Sequence, residues 1–394
     1  MSLPVTDVQR DLIDLVRRFV STEIVPLEFE LDPDESELSA PVLERLTTKT
    51  KQMGLYNIDV PEEFGGAGLD TVTRTLLAME MSQHRAGLYA PCYAAFGQPD
   101  MGQLYDGTDE QKERYLYPVL RAEKKSFFAL TEPSGGSDPA RAIQTRAKRD
   151  GSDWIINGNK TFISGADTAD FGLVFARTGD QESGRSGITC FIVDADTPGF
   201  TVRRVIHTLR SGHCPTELTF EDVRVPAAAV LGEVGQGFAL ATERLTKNRI
   251  PYAAGCLGVA MKAHRMAVEY AGTRSVFGST LAEHEGIQWM LVDNEIDLRS
   301  ATLITLDAAE RADSGQPFRT EVALAKIVAT EAAGRVVDRA IQIHGGYGVT
   351  KDLPLERWYR ELRIRRIGEG STETQKMIVS RDLLRGRYRG LLDR

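Results

Sequence analysis

At 394 residues the chain is longer than one hydrophobic core usually grows, so two or three domains are expected. Its 42% hydrophobic and 26% charged composition is that of a globular protein, and its apolar runs are too short and too interrupted for a membrane-spanning helix. A formal net charge of -8 without a dominant basic segment repels phosphate backbones, so nucleic acid is not an expected partner.

Residues 1–125 read as an all-α domain: Val8, Leu12, Val16 and Val20 recur every four residues, and Leu76, Leu77, Met79 and Met81 mark another apolar helical segment. Met1 to Arg10 has no basic-then-apolar leader, and Asp7, Asp11 and Asp14 are acidic where a signal or transit peptide is not, so a cytoplasmic protein is expected. Pro61-Glu-Glu-Phe-Gly-Gly-Ala-Gly68 lacks the βαβ setting of a dinucleotide loop and reads as a turn. Cys92, Cys190, Cys214 and Cys256 are scattered with no C-x-x-C pair, which predicts reduced structural thiols and no metal site.

Residues 126–235 change to short β-branched and aromatic runs, as in Trp154-Ile-Ile-Asn-Gly158, Gly187-Ile-Thr-Cys-Phe-Ile-Val193 and Glu217-Leu-Thr-Phe220, and read as a small β-barrel domain. Asn157-Gly158 predicts a tight hairpin between Trp154-Ile-Ile and Lys160-Thr-Phe-Ile. From 236 to 394 the helical period returns. Ile250, Ala254, Leu257, Met261 and Val268 form one stripe, Ile287, Leu291 and Leu298 a second, and Val322, Ile327, Val336 and Val337 a third. With a fourth helix after Gly370, these stripes predict a four-helix bundle. The expected class is thus α+β: a helical domain, a β-barrel domain, then a helical bundle.

Four segments stand out chemically. Phe128-Ala-Leu-Thr-Glu-Pro-Ser-Gly-Gly-Ser-Asp138 offers hydroxyls and backbone N–H groups around two glycines, which suits either close approach to a ligand or an ordinary turn. In Thr273-Arg-Ser-Val-Phe-Gly278, Arg274 could fork onto phosphate or simply face a helix dipole, and Phe277 offers a ring face. Gln342-Ile-His-Gly-Gly-Tyr-Gly348 carries a histidine with no marked catalytic partner, so a packed His344 is expected beside glycines that permit backbone contact. In Arg366-Ile-Gly-Glu-Gly-Ser-Thr-Glu-Thr-Gln375, Thr372 and Gln375 have capping-box spacing, placing Glu369 on the loop before a helix. That carboxylate could act as a base or merely complement the dipole.

In this order the four segments resemble the acyl-CoA dehydrogenase family, from about Thr6 to Leu384. The resemblance implies FAD as cofactor, an acyl-CoA substrate, electron-transfer flavoprotein as oxidant, and a homotetramer built as a dimer of dimers. It implies that Phe128, Leu130 and Thr131 line the flavin, that Ser137 lies between flavin and CoA arm, and that Phe162 and Ser164 meet the isoalloxazine. Arg274, Phe277, Gln342 and Gly346 match positions that hold the FAD pyrophosphate and adenosine across a subunit interface, and Ser371 and Glu373 match flanking FAD contacts. Glu369 matches the base that takes the α-proton while flavin N5 receives the β-hydride. The alternative base position on the first long bundle helix is Arg249 here, a residue expected at the substrate side with Gly368, Gly370 and Arg381.

Gly370 belongs to the loop whose N–H groups can meet the thioester carbonyl. Arg381, nine residues beyond Thr372 and so roughly 14 Å along the helix, would reach the CoA arm or remain a surface arginine. Gly368 stands where many relatives carry tyrosine, Ser371 replaces a common threonine, and Glu285 follows His284 where glutamine is usual. The missing side chain at 368 predicts a roomier acyl pocket and a bulkier acyl group. Same-fold alternatives are an acyl-thioester oxidase, an enoyl-thioester reductase, a flavin monooxygenase, an acyl-carrier-protein dehydrogenase and a non-catalytic flavin-binding subunit.

Overall fold

A computed structural model describes residues 5–97, 102–179, 187–210 and 212–387, so the outermost residues of the expected first and last domains, 1–4 and 388–394, lie outside it. Along the chain, helices α1 (Asp7–Phe19), α2 (Ala40–Gln52) and α3 (Thr71–Met81) precede the short helices α4 (Asp109–Gln111) and α5 (Tyr117–Leu120). Strand β1 (Ser126–Ala129), helix α6 (Pro139–Ala142) and strands β2 (Arg146–Asp150), β3 (Asp153–Ser164), β4 (Phe171–Arg177), β5 (Ile188–Asp194), β6 (Phe200–Val205), β7 (Pro215–Pro226) and β8 (Val230–Leu231) follow. Next come α7 (Gly237–Thr273), the strand pair β9 (Ser275–Val276) and β10 (Ser279–Thr280), then α8 (Glu285–Asp313), α9 (Arg319–His344), α10 (Leu355–Arg365) and α11 (Thr372–Leu384). Among the described residues no helix is long and apolar enough to cross a membrane.

Two compact units result, one from the chain ends up to Phe96 and from Thr246, the other from Gly97–Leu245. In the first unit the long helices meet through small residues. Ala253, Ala260, Ala263, Ala267 and Ala271 of α7 and Ala329, Ala332, Ala333 and Ala340 of α9 are buried, which lets the helices approach closely. Trp358 of α10 is fully buried and donates Nε1–H to the Arg85 carbonyl at 3.1 Å; truncating it would cost about 3–5 kcal/mol. The sequence stripes err at their ends, since Val8 and Val268 are exposed where the helical wheel drifts off the core. The bundle also contains α10, a helix that periodicity missed because its arginines hide the apolar residues Leu355, Trp358 and Leu362. The turn after α3 is tied down by buried Glu28, which accepts from His84 Nδ1 at 2.7 Å and the Ala86 N–H at 2.9 Å, while His84 Nε2 accepts from the Cys92 N–H at 2.8 Å.

The second unit is built on an eight-stranded mixed sheet in the order β6-β7-β3-β2-β4-β5-β8, with β1 added parallel to β4. β4 is buried along its whole length, as expected for a strand covered on both faces. The expected barrel does not close through hydrogen bonds: the edges are a two-residue β8 and a largely exposed β6 bearing Arg203 and Arg204, devices that stop further pairing. The expected Asn157-Gly158 hairpin is also absent. β3 runs straight through it with a bulge between Ile156 and Gly158, and the chain reverses instead between β2 and β3. Gly158 is needed there for close approach, because a Cβ would lie 2.4 Å from Thr145 Oγ1. Asn157 spends its side chain on strand β7, donating to Asp222 Oδ1 at 2.9 Å and accepting from the Asp222 N–H at 2.9 Å.

Candidate active site

Within the first unit, the segment between α10 and α11 is a short loop whose backbone carbonyls are held by side chains. Tyr252 Oη donates to the Arg365 carbonyl at 3.2 Å, Lys326 Nζ to that of Arg366 at 3.3 Å, Arg249 Nε to that of Glu369 at 2.8 Å, and Gln375 Nε2 to that of Gly370 at 3.2 Å. Glu369 and Gly370 both have positive φ, 56° and 87°. For a glutamate this conformation costs about 1–3 kcal/mol. Four hydrogen bonds at roughly 0.5–1.5 kcal/mol each are enough to hold it.

The loop presents unsatisfied groups. Glu369 Oε2 is buried with no hydrogen-bond donor, and among the described residues the N–H groups of Glu369, Gly370 and Ser371 meet no acceptor. A buried acceptor and a run of free donors at a helix start fit a substrate that brings a proton and an oxygen. The helix cap is Ser371, whose hydroxyl accepts from the Thr374 N–H at 3.3 Å, one residue before the expected Thr372. Thr372 is otherwise engaged, its Oγ1 donating to Glu331 Oε1 at 3.0 Å.

Around this loop the cations are buried. Arg249 is 8% exposed and burial pushes its guanidinium down, partly countered by Glu369. Lys326 is fully buried, and desolvation lowers it to about 8. The expected extra room at Gly368 is taken: a Cβ there would stand 2.8 Å from Tyr252 Oη, so a tyrosine from α7 fills the space that a side chain at 368 would use. No local signal in the sequence indicates that contact. Glu373 and Arg381 on α11 are exposed, and the Glu373 carboxyl is held low chiefly by its backbone hydrogen bond and then by Ser371.

The residues of this unit expected at the FAD pyrophosphate and adenosine sit at its surface. The β9–β10 hairpin turns at Phe277-Gly278, with φ of 50° and 88°, and Phe277 is 100% exposed. Arg274, Gln342 and Gly346 are exposed too, whereas His344 is buried, with Nδ1 bonded to the Ala340 carbonyl at 2.7 Å and its ring stacked 4.5 Å from Tyr270.

In the second unit the end of β1 and the end of β3 are brought together, because the Thr161 N–H donates to the Thr131 carbonyl at 3.0 Å. This places the segments carrying Phe128, Leu130 and Thr131 beside those of Phe162 and Ser164. Leu130 is buried, Phe128 half-buried under Arg244, and Phe162 is 62% exposed at φ 57°, on a β3 irregularity between Lys160 and Ile163. An exposed aromatic held in a disfavoured conformation offers a face to a planar ring system, so this edge fits a flavin. Ser164 accepts from Arg210 Nη2 at 3.1 Å, and Ser137 lies exposed on the loop beyond.

Beneath the loop, Glu132 forms a buried ion pair with Lys160 at 2.8 Å and accepts from the Gln144 and Thr145 N–H groups at 2.6 and 3.0 Å. Breaking one half would cost about 3–5 kcal/mol. Cys92, Cys190 and Cys256 are free and buried, and burial lifts the Cys256 thiol to about 11.

Comparison with known proteins identifies the family and the fold. The family domains described as acyl-CoA dehydrogenase N-terminal, middle and C-terminal match residues 6–123, 127–223 and 235–384. A 3-(aryl)acrylate reductase of Clostridium sporogenes is 40% identical over 381 residues, 96% of this chain and 99% of that protein. The butyryl-CoA dehydrogenase structure from Megasphaera elsdenii is 33% identical with a TM-score of 0.85, covering 98% of this chain and all of that one. The FAD complex of PigA superposes with a TM-score of 0.85 at 25% identity, over 98% of this chain and 100% of that one.

Proposed function

This chain belongs to the acyl-CoA dehydrogenase family of FAD-dependent oxidoreductases acting on CH–CH bonds, and on that premise we propose that Glu369 removes the α-proton of an acyl-CoA thioester, giving the trans-2-enoyl product. The observation that carries the reading is the buried, donor-free Glu369 Oε2 on a loop fixed by four side chains. Bound FAD supplies the hydride acceptor that no side chain can provide. The chain's own residues do the rest. A base must stand within hydrogen-bond reach of its proton, and the Arg249, Lys326, Tyr252 and Gln375 contacts set where Glu369 can stand. The free N–H groups at 369–371 are placed to donate where charge develops on the thioester oxygen. Exclusion of water by the acyl chain strengthens a carboxylate as a base.

Other carboxylates are less suited: Glu132 is consumed by Lys160 and backbone donors, and Glu373 and Glu243 are exposed. Arg249 is a positioning residue on this reading, since its contact is with the Glu369 backbone. Phe128, Leu130, Thr131, Ser137, Phe162 and Ser164 would hold the flavin and its phosphates, Ser371 and Glu373 would flank it, and Arg381 would meet the CoA arm.

Electron-transfer flavoprotein is the proposed oxidant and the cytoplasm the proposed compartment. A homotetramer is supported by the fully exposed Phe277 and by Trp289, Val292, Ile296 and Leu303, which lie exposed along one stripe of α8. The reductase named at 40% identity favours a second reading, in which the same residues work in reverse and Glu369 returns the proton to an enoyl thioester.

Anaerobic mixing of the FAD-loaded enzyme with a panel of acyl-CoA thioesters tests the reading. Substrate-dependent bleaching of the flavin is expected, and no bleaching by any thioester would remove it. Reoxidation of the reduced enzyme by an enoyl thioester, faster than the forward reaction, would assign the reductive direction.

A further inference from the structure

Arg365, the last residue of α10, is a buried cation whose charge is felt by Glu361, one turn earlier, a carboxylate already bonded to Arg357. It is 8% exposed; its Nη2 donates to the Leu88 carbonyl, its Nε has no partner, and among the described residues it forms no ion pair. Three neighbouring arginines have ion pairs, Arg357 with Glu361, Arg360 with Asp34 and Glu356, and Arg366 with Glu331, and Arg363 is exposed to water. Incomplete compensation of a buried charge is unfavourable, so a fold in which Arg357 and Arg365 share the single carboxylate of Glu361 leaves part of that charge for something else.

The position is next to the base. Tyr252, whose ring centre is 4.1 Å from the Arg365 Cζ, also bonds the Arg365 carbonyl and lies against Gly368, the residue before Glu369. Tyr89 covers the guanidinium from a second ring, 4.2 Å from Cζ. With two aromatic rings already on the central carbon, little of the guanidinium face is left for a third. What remains is the N–H edge, which asks for an acceptor in its plane, and a carboxylate matches that planar fork. A nine-tenths buried site beside the base loop is also no place for the bulky, hydrated phosphates of the CoA arm.

We propose that Arg365 binds a carboxylate at the far end of the acyl group, so that the substrate class is the monothioester of a dicarboxylic acid. This rests on the thioester chemistry assigned to Glu369, and the test separates the two.

The FAD-loaded enzyme is mixed anaerobically with succinyl-, glutaryl- and adipyl-CoA, with butyryl- and hexanoyl-CoA, and with 3-phenylpropanoyl-CoA, and flavin bleaching is followed. At least one dicarboxylic thioester is expected to outrun every neutral one by about 10-fold or more in kcat/KM. Arg365→Leu should cut that value by ~10²-fold, the usual scale for stripping one partner from a buried charge pair, and so reverse the preference. Arg365→Lys, which keeps the charge and loses the fork, should recover part of it. A wild-type preference for neutral or aryl thioesters overturns the proposal and leaves the thioester reading standing. So does an Arg365→Leu enzyme that loses both classes equally, which marks a structural role. Bleaching by no thioester at all brings down both. If Arg365→Leu fails to fold, the wild-type panel and Arg365→Lys decide.

Discussion

Two turns of the first unit share a backbone and differ in everything around it. Phe277-Gly278 and Glu369-Gly370 each place a bulky residue and then a glycine at positive φ, 50° and 88° in one, 56° and 87° in the other. At Phe277 the strain is accepted because both central residues of a two-residue hairpin need it, and the ring faces solvent entirely. At Glu369 it is enforced by buried donors on the flanking carbonyls. The Glu369 turn is held by side chains of its own unit, while the Phe277 ring is left facing solvent. On the proposed reading, strain at Glu369 preorganises a base and strain at Phe277 presents a contact.

Disturbing the buried turn should have the largest effect. Arg249→Leu is expected to keep FAD and thioester binding but slow flavin reduction by about 10²-fold, the scale of a misplacement of about 1 Å. Rapid-reaction kinetics would show it as a loss in rate with little change in KM. An equal weakening of substrate binding would mean that Arg249 touches substrate directly.

The exposed turn should respond differently. Phe277→Ala is expected to leave the stability of the fold within about 0.5 kcal/mol, as for an exposed side chain. It should loosen FAD by about 10-fold, or 1.4 kcal/mol, and lower the mass measured in solution. Unchanged FAD retention and mass would break the contrast.

Gly368→Ala probes the packing behind the base. The added methyl meets Tyr252 Oη at 2.8 Å and should cost about 1 kcal/mol, relieved in a Tyr252→Phe background.

The smallest expected effect is a pH dependence. Burial lowers Lys326 from 10.5 to about 8, so between those values the unfolded chain holds the extra proton and stability should rise with pH. Lys326→Met should flatten that rise in denaturant titrations.

The order of helical, β and bundle regions was legible because periods of 3.6 and 2 survive in single segments such as Ile250 to Leu257 or Ile188 to Val193. Glu369 was legible as a loop carboxylate ahead of a helix, though not as one with a buried, donor-free oxygen. What escaped depends on residues far apart in the chain. Asn157-Gly158 suits a turn and a bulge equally, and only Thr145 and Asp222 decide between them. The room at Gly368 was misjudged because Tyr252 stands 116 positions earlier in the sequence. Arg365 gave no signal, since in a helix as arginine-rich as α10 an unpaired charge is recognised only once the partners of the others are known.

The central claim is that Glu369 takes the α-proton, and the Glu369→Gln enzyme tests it most directly. The change is nearly isosteric, so fold, FAD and thioester binding should survive, but an amide cannot accept the proton. Anaerobic stopped-flow bleaching with saturating thioester is expected to slow by ~10²–10⁴-fold or more. Reduction at near the wild-type rate would contradict the account.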